Sequence, residues 1–404
     1  MTKKLSLEKS NVFSTLVFFA CVEIPSLTRY HGQNYLFLAR FFILLFMVLH
    51  FIVGKKVIKT NFFKNIISII TLWFLYLIFM TYLDGKDLVY ALRIVSIPYV
   101  MALYLYQYKK KMIKILHCWC FWLIVIVAID FVTMIMFPQG MYNDGLYSLN
   151  WFLGYKTARF QIELPLCVIS AYLSKLEKGR INGKSYICLL MSMFCSWVAK
   201  TTSAFVCLVF LFLLFVFLNI GEKFKDGKKL IYRIFSYKNI VGIYFFAVIC
   251  LIGIDSIPLV QSIVENVFHK DATLTTRTYI WKMMLEKIIQ KPIWGYGILN
   301  QETYISITNS PYANSTHNMV LALMMEGGII GTIIYFFILK KALNRKYTIC
   351  IDEELILIAG IIVGLILGLT SVSLLYCEFS MVMYEILCLN SELSIGGINE
   401  RKYL

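Results

Sequence analysis

Apolar residues along this chain fall into long runs separated by short polar stretches. Twelve runs stand out, at 11–28, 35–53, 65–83, 88–106, 114–137, 160–175, 185–199, 202–220, 240–257, 317–339, 354–371 and 374–390. Most approach the roughly 20 residues that a helix needs to cross a hydrocarbon core. Only Lys200 and Thr201 separate the seventh run from the eighth, so this pair reads either as two helices or as one long broken helix. The expected fold class is all-α: a polytopic integral membrane protein of about twelve transmembrane helices, with residues 1–404 as one transmembrane domain.

Composition agrees with this reading. Hydrophobic residues make up 59% of the 404, only 15% are charged, and the mean hydropathy is +0.73. Soluble domains carry about 25% charged residues. A net charge of +16 raises the question of nucleic acid. The charges do not gather on one face or element, so no nucleic-acid partner is expected. They sit between the apolar runs instead. With the N-terminus inside, about 27 of the 39 Lys and Arg fall in segments that would face the cytoplasm, including Lys55, Lys56, Lys59, Lys64, Lys109–Lys111 and the stretch 221–239. Short outer loops carry only Arg29, Lys86, Lys156, Arg159 and Lys200. This positive-inside asymmetry predicts that both termini are cytoplasmic.

The N-terminal Lys3, Lys4 and Lys9 precede an apolar stretch, as in a signal peptide, but Glu23 and Pro25 interrupt it and no small-residue cleavage site follows. It reads as a retained first helix. The eleven Cys are scattered, mostly inside apolar runs, with no CxxC and no Cys/His cluster at metal spacing. They read as reduced thiols packed as small hydrophobes.

One connection is long. Residues 258–316 form a large outer loop between helices nine and ten. Loops of this length are usually functional or disordered. This one has helical periodicity: from Arg277 to Gln290, Ile280, Trp281, Met284, Leu285, Ile288 and Ile289 recur on one face. Thr275 or Thr276 can cap its start, and Pro292, Gly295 and Gly297 stop it and turn the chain. Such an amphipathic helix would lie on the membrane surface or roof a cavity.

Ionisable residues inside spans are costly and usually meet a cavity or a partner. Arg40, Arg93, Asp130 and Glu163 are such residues here. Arg40 and Arg93 either serve a site or pair with a carboxylate such as Glu23 or Asp130. At the outer interface stand Arg159, Lys200, Arg277 and His317. Several cations at one depth suit a phosphate or diphosphate. The alternative for Lys156, Arg159 and Lys200 is that they snorkel to lipid headgroups. His317 is followed by Asn318, then by Glu326, Gly327, Gly328 and Gly331 in one helix. Gly328 and Gly331 would let another helix approach closely.

The spacing His317-Asn318, nine residues, Gly328, two residues, Gly331 resembles the signature at the end of the periplasmic loop of the O-antigen ligase and Wzy-type polysaccharide polymerase family. The run Arg277-Thr-Tyr-Ile-Trp281, followed by Lys291-Pro292-Ile-Trp294-Gly295-Tyr296-Gly297, is similar to the family's earlier loop motif. Lys200-Thr-Thr-Ser203-Ala204 resembles its small-polar break before a helix, where an Arg is commoner. Position 281 is Trp where ligases often have Leu. The motifs cover about 277–331, and the hydropathy resemblance covers the whole chain.

The resemblance implies a helical membrane fold in a bacterial plasma membrane, with a periplasmic loop over a central cavity. It implies glycan transfer from a polyprenyl-diphosphate carrier, such as undecaprenyl diphosphate, to a sugar hydroxyl. Partners would be the lipid-linked oligosaccharide donor and acceptor, membrane lipids and a chain-length regulator protein. In this reading His317 is a general base, kept neutral by neighbouring cations. Arg277 stabilises the diphosphate, and Arg159, Lys200, Arg93, Arg40, Asn318 and Glu326 bind substrate. Glu326 lies about 14 Å down the helix from His317, at 1.5 Å per residue, which suits packing better than base chemistry. No outer Asp-x-Asp pair offers a metal site, so neither a metal nor another cofactor is expected. The primary reading is a polymerase of oligosaccharide repeat units for O-antigen, capsule or exopolysaccharide. The alternatives are an O-antigen ligase, or a transporter of the same lipid-linked sugar. A transporter should show inverted repeats and short loops instead.

Overall fold

The computed structural model describes residues 2–28, 32–53, 65–143, 149–220, 233–253, 277–310, 313–343, 352–372 and 375–395. The cap candidates Thr275 and Thr276, loop residues 254–276, Arg29 and the basic stretches at 54–64, 221–232, 344–351 and 396–404 lie outside the described residues.

Each of the twelve apolar runs contains a helix. In chain order these are α1 (Thr2–Cys21), α3 (Gly32–Val53), α4 (Ile66–Leu83), α5 (Leu88–Gln107), α6 (Met112–Met136), α7 (Phe160–Lys178), α8 (Gly183–Val198), α9 (Thr202–Ile220), α10 (Tyr237–Ile252), α13 (Met319–Leu343), α14 (Asp352–Gly368) and α15 (Ser380–Ile395). A single turn, α2 (Pro25–Thr28), follows α1. The long loop supplies α11 (Arg277–Gln290) and α12 (Gln301–Thr308). Six helices, α3, α4, α5, α6, α9 and α13, are long and apolar enough to cross a membrane. Asn11–Cys21, Tyr237–Ile252 and Ser380–Leu389 are shorter apolar helices. Phe41, Phe42, Leu45, Phe46 and Leu49 of α3 are all exposed. Water would penalise an apolar face of this size, whereas lipid does not. The chain is an all-α, multi-pass membrane protein. Among the described residues, a two-stranded antiparallel ribbon lies between α6 and α7, β1 (Asn150–Trp151) with β2 (Gly154–Tyr155).

α8 and α9 pack against each other, so the break at Lys200 separates two helices. At the centre is α7, every residue of which from Ile162 to Lys175 is buried. It packs on α6, α8 and α14. Nearby, Trp119 donates its indole N–H to the Ser14 carbonyl at 3.1 Å, and Ser14 meets the Tyr104 hydroxyl at 2.7 Å. These bonds tie α1, α5 and α6 together and satisfy polar groups that are costly to bury alone.

α4 packs along α13, and α13 is broken. Gly328 has φ 58° and ψ −161°, so the helix loses its own hydrogen bonds there. The segment Pro292–Gly297 restores them. Tyr296 and Gly297 donate backbone N–H groups to the Met325 and Glu326 carbonyls, at 2.8 and 2.9 Å. Past the break, Ile329 and Ile330 donate to the Pro292 and Ile293 carbonyls, at 2.9 and 3.3 Å. Tyr76 of α4 donates its hydroxyl to both the Trp294 and Gly327 carbonyls, each at 2.9 Å. The backbones approach so closely that a Cβ on Gly295 would lie 2.6 Å from the Gly328 nitrogen. A Cβ on Gly328 would run into the Ile293 carbonyl. The expectation that Gly328 and Gly331 admit a helix is therefore half right. Gly331 faces Tyr76 of α4, whereas Gly328 faces the loop.

Gly328→Ala combines this clash with a backbone region that costs about 1–3 kcal/mol for residues other than glycine. It should lower the midpoint of thermal unfolding in detergent and the monodisperse yield. Gly242→Ala, with nothing within 4 Å of the added Cβ in α10, should leave both unchanged or slightly raised. Equal midpoints for the two variants would show that the interlock contributes nothing to stability.

Candidate functional site

The segment leading into α13 holds His317 in an unusual backbone position. Its φ is 50°, a left-handed conformation uncommon outside glycine. Local bonds fix it there. Thr316 donates its hydroxyl to the Asn318 carbonyl at 2.7 Å, and the His317 N–H reaches the Ser315 hydroxyl at 3.3 Å. Asn318, rather than His317, caps α13: its Oδ1 accepts from the Val320 and Leu321 N–H groups at 2.9 and 3.1 Å. Its Nδ2 donates to the Leu369 carbonyl at 3.0 Å. Asn318 is fully buried and His317 half-buried. The substrate-binding role expected of Asn318 gives way to capping, because both ends of its amide are engaged.

The described part of the loop helix α11 runs from Arg277 to Gln290. Ile280, Trp281, Met284 and Ile288 are buried, but Ile289 is exposed. The apolar face is narrower than the periodicity suggested. Trp281, one turn after Arg277, donates its indole N–H to the Thr316 carbonyl at 3.0 Å. The helix that presents Arg277 is thereby bonded to the residue before His317. Arg277 is half-buried and has no ion pair with a carboxylate among the described residues. Burial lowers its pKa by disfavouring the charge, and the nearby Tyr155 phenol opposes this. Lys156 lies 5.6 Å from the Tyr155 ring.

Glu326 is buried in the first half of α13. Its carboxylate accepts from the Tyr304 hydroxyl of α12 at 3.0 Å, from the Tyr376 hydroxyl, and from the Leu299 backbone. Its side-chain partners among the described residues are thus two tyrosine hydroxyls. Tyr90 of α5 is close to this group, with the Arg93 guanidinium 5.4 Å from its ring. Arg93 is half-buried and forms no ion pair with a carboxylate among the described residues.

Two expected ligand cations are spent inside the protein. Arg159 is buried, with Nε 2.8 Å from Asp130 and Nη2 2.6 Å from Glu163. Its Nη1 donates to the Cys195 carbonyl at 3.3 Å, and the group lies 5.7 Å from the Trp151 ring. Ligand atoms of Asp130, Glu163 and Cys195 converge within 4.8 Å of one another, and the guanidinium is bonded to both carboxylates. Asp130 thus takes Arg159 rather than Arg40 or Arg93, and Arg159 does not snorkel. Arg40, also buried, bonds Glu23 at 3.0 Å, the Ala20 carbonyl at 3.0 Å and the Ser96 hydroxyl at 2.9 Å. This is the structural pairing weighed above. Lys200 is exposed, with φ 55°, and has no ion pair among the described residues.

Sequence reasoning missed Tyr76, Tyr90, Tyr155, Tyr304 and Tyr376. Tyrosine is common here, with 26 copies, so no single one carries a signal.

Residues 187–336 match the family model described as O-antigen ligase. This stretch runs from α8 into α13 and contains Lys200, Arg277, His317, Asn318 and Glu326. The resemblance to the O-antigen ligase and Wzy-type family stands. A protein of Rickettsia conorii named as a polysaccharide ligase is 30% identical over 96 residues, covering 21% of this chain and 23% of the relative. A second, from Rickettsia felis, is 34% identical over 80 residues, covering 17% and 19%. The chain thus aligns with about a fifth of the length of the curated relatives it matches.

The sorting of cations is testable. Arg159→Met would leave two buried carboxylates uncompensated, a change that costs about 3–5 kcal/mol. Folded yield should collapse. Arg277→Met strands no described carboxylate and should fold normally. Comparable monodisperse yields for both would remove the distinction.

Proposed function

We propose that this protein transfers a glycan from a polyprenyl-diphosphate carrier to an acceptor hydroxyl at the outer face of a bacterial plasma membrane, in a ligase-type reaction. One observation carries the reading: Arg277, a half-buried cation without a described carboxylate partner, starts a helix that is bonded through Trp281 to the residue before His317. The family match over 187–336 and the ligase names of the relatives support the ligase form over the polymerase form. Trp281, where ligases often have Leu, donates its indole N–H to the Thr316 carbonyl.

In this mechanism His317 accepts the proton of the acceptor hydroxyl. The hydroxyl oxygen attacks the anomeric carbon and forms the new glycosidic bond. The bond from that carbon to the diphosphate oxygen breaks, and the electron pair leaves with the polyprenyl diphosphate. Arg277 stabilises the negative charge that develops there, as preorganised donors do in a site with little water. Arg93 and Lys156 add positive potential from α5 and from the β2 end. No metal is required in this scheme.

A lysine cannot replace the two-pronged donor geometry of arginine on a diphosphate. Arg277→Lys should therefore lose most transfer activity at normal expression, and Arg277→Ala at least as much. Full activity in the alanine variant would remove Arg277 from the site.

General-base assistance contributes about 10²- to 10⁴-fold. His317→Gln keeps hydrogen bonding but takes up no proton, so turnover of a purified, lipid-linked donor should fall by that order while donor binding persists. Near wild-type turnover would leave His317 only an orienting role. The same assay should tolerate EDTA; loss of activity restored by Mg²⁺ or Mn²⁺ would refute the metal-independent scheme. Product length separates the two family reactions, with one transfer per acceptor for a ligase and a ladder for a polymerase.

A further inference from the structure

The turn Pro292–Gly297 sits deeper than a surface loop. Lys291 pairs with Asp84, the residue that ends α4. Three residues on, the Trp294 carbonyl accepts from Tyr76, which lies eight residues, about 12 Å, back along α4 from Asp84. The second gauge is α13. The turn bonds Met325, Glu326, Ile329 and Ile330, which are six to eleven residues past Met319, or roughly 9–16 Å along a helix. Gly297 then returns toward Thr81, whose hydroxyl accepts from the Ile298 N–H at 2.9 Å. The chain therefore descends between α4 and α13 and climbs back out.

At the tip, Ile293 is 50% and Trp294 55% exposed. Their surroundings are apolar. On α4, Leu75, Phe79, Tyr82 and Leu83 are exposed, and on α13, Ile329, Ile333 and Phe337 follow at i, i+4 and i+8. The tip joins these two stripes, because Ile329 bonds Pro292 and Tyr76 bonds Trp294. Irregular backbone survives at membrane depth only when its polar groups are satisfied. Here the carbonyls of Pro292, Ile293 and Trp294 and the N–H groups of Gly295, Tyr296 and Gly297 have partners and Pro292 has no N–H, while the Ile293 and Trp294 N–H groups make no hydrogen bond among the described residues.

We propose that Pro292–Gly297 is a re-entrant turn, with Ile293 and Trp294 seated among the hydrocarbon chains of the surrounding leaflet. The occupant follows from continuity: the exposed faces of α4 and α13 that flank the tip belong to helices apolar enough to cross a membrane. Lys291 and Lys86, beside Asp84, mark the level at which the segment enters. Basic side chains commonly anchor at that interface. The loop would thus touch lipid with one side and the backbone below His317 with the other. This inference does not depend on the transfer reaction.

The test is spin-label accessibility in the full-length protein, depleted of other reactive cysteines and placed in phosphatidylcholine–phosphatidylglycerol vesicles. Trp294→Cys and Ile293→Cys labels should be more accessible to oxygen than to a water-soluble nickel chelate, as an Ile333→Cys label on α13 should be. A Ser306→Cys label on the exposed side of α12 should show the opposite preference. Chelate accessibility at 293 and 294 equal to that at 306 would overturn the proposal. Should Trp294→Cys fail to accumulate, Ile293→Cys decides alone. In a parallel measurement Trp294→Asp should reduce folded, membrane-inserted yield several-fold relative to Trp294→Leu, and equal yields would count against lipid burial.

Discussion

A helix interrupted inside an apolar bundle leaves backbone donors and acceptors with no water to satisfy them, and each such group costs several kcal/mol in hydrocarbon. α13 is interrupted at Gly328, and the rest of the molecule is arranged around that constraint. The Pro292–Gly297 turn supplies the missing partners from one side and Tyr76 from another. Once docked, the turn fixes the end of α11. The side chain of Glu326, two residues before Gly328, fastens α12 and the 375–379 connection through Tyr304 and Tyr376. Trp281 then ties α11 to the segment that carries His317. The loop is held by backbone pairing as much as by side-chain packing, which is why so many of its key positions are glycine and proline.

The charged residues divide into two groups by what surrounds them. Arg40 and Arg159 are buried and bonded to carboxylates, and their positive charge is compensated within the protein. Arg277 and Arg93 are half-buried and lie against tyrosine rings or phenols, without a described carboxylate. Charge compensated by an internal carboxylate contributes little to a passing anion. Of these four arginines, Arg93 and Arg277 are the two whose charge is not compensated by a carboxylate among the described residues.

The helices were legible because apolar runs of this length have few alternatives. The helical character of α11 and its stop before Pro292 were legible from periodicity and breakers. Glu23 with Arg40 was a readable pair, being separated by little more than one short connection. Asp130 with Arg159 was not, since choosing among Asp130, Arg40, Arg93 and Arg159 needs the packing of α6 against α7. Ile289 was misassigned because a face read from period alone cannot fix its width; the side toward α13 ends at Ile288. The pairing of a glycine turn with a broken helix had no sequence signature beyond the glycines themselves. They suggested helix contact, and at Gly331 that is what they make.

The two buried acidic clusters differ in how far their partners lie along the chain. Asp130 lies in α6, and Arg159 and Glu163 lie at the start of α7, so one guanidinium meets both carboxylates across consecutive helices. Glu326 must wait for Tyr376, fifty residues later, before its carboxylate is fully bonded. The first cluster is thus completed by the neighbouring α8, through the Cys195 carbonyl and the Ser196 hydroxyl, whereas the second needs the connection beyond α14.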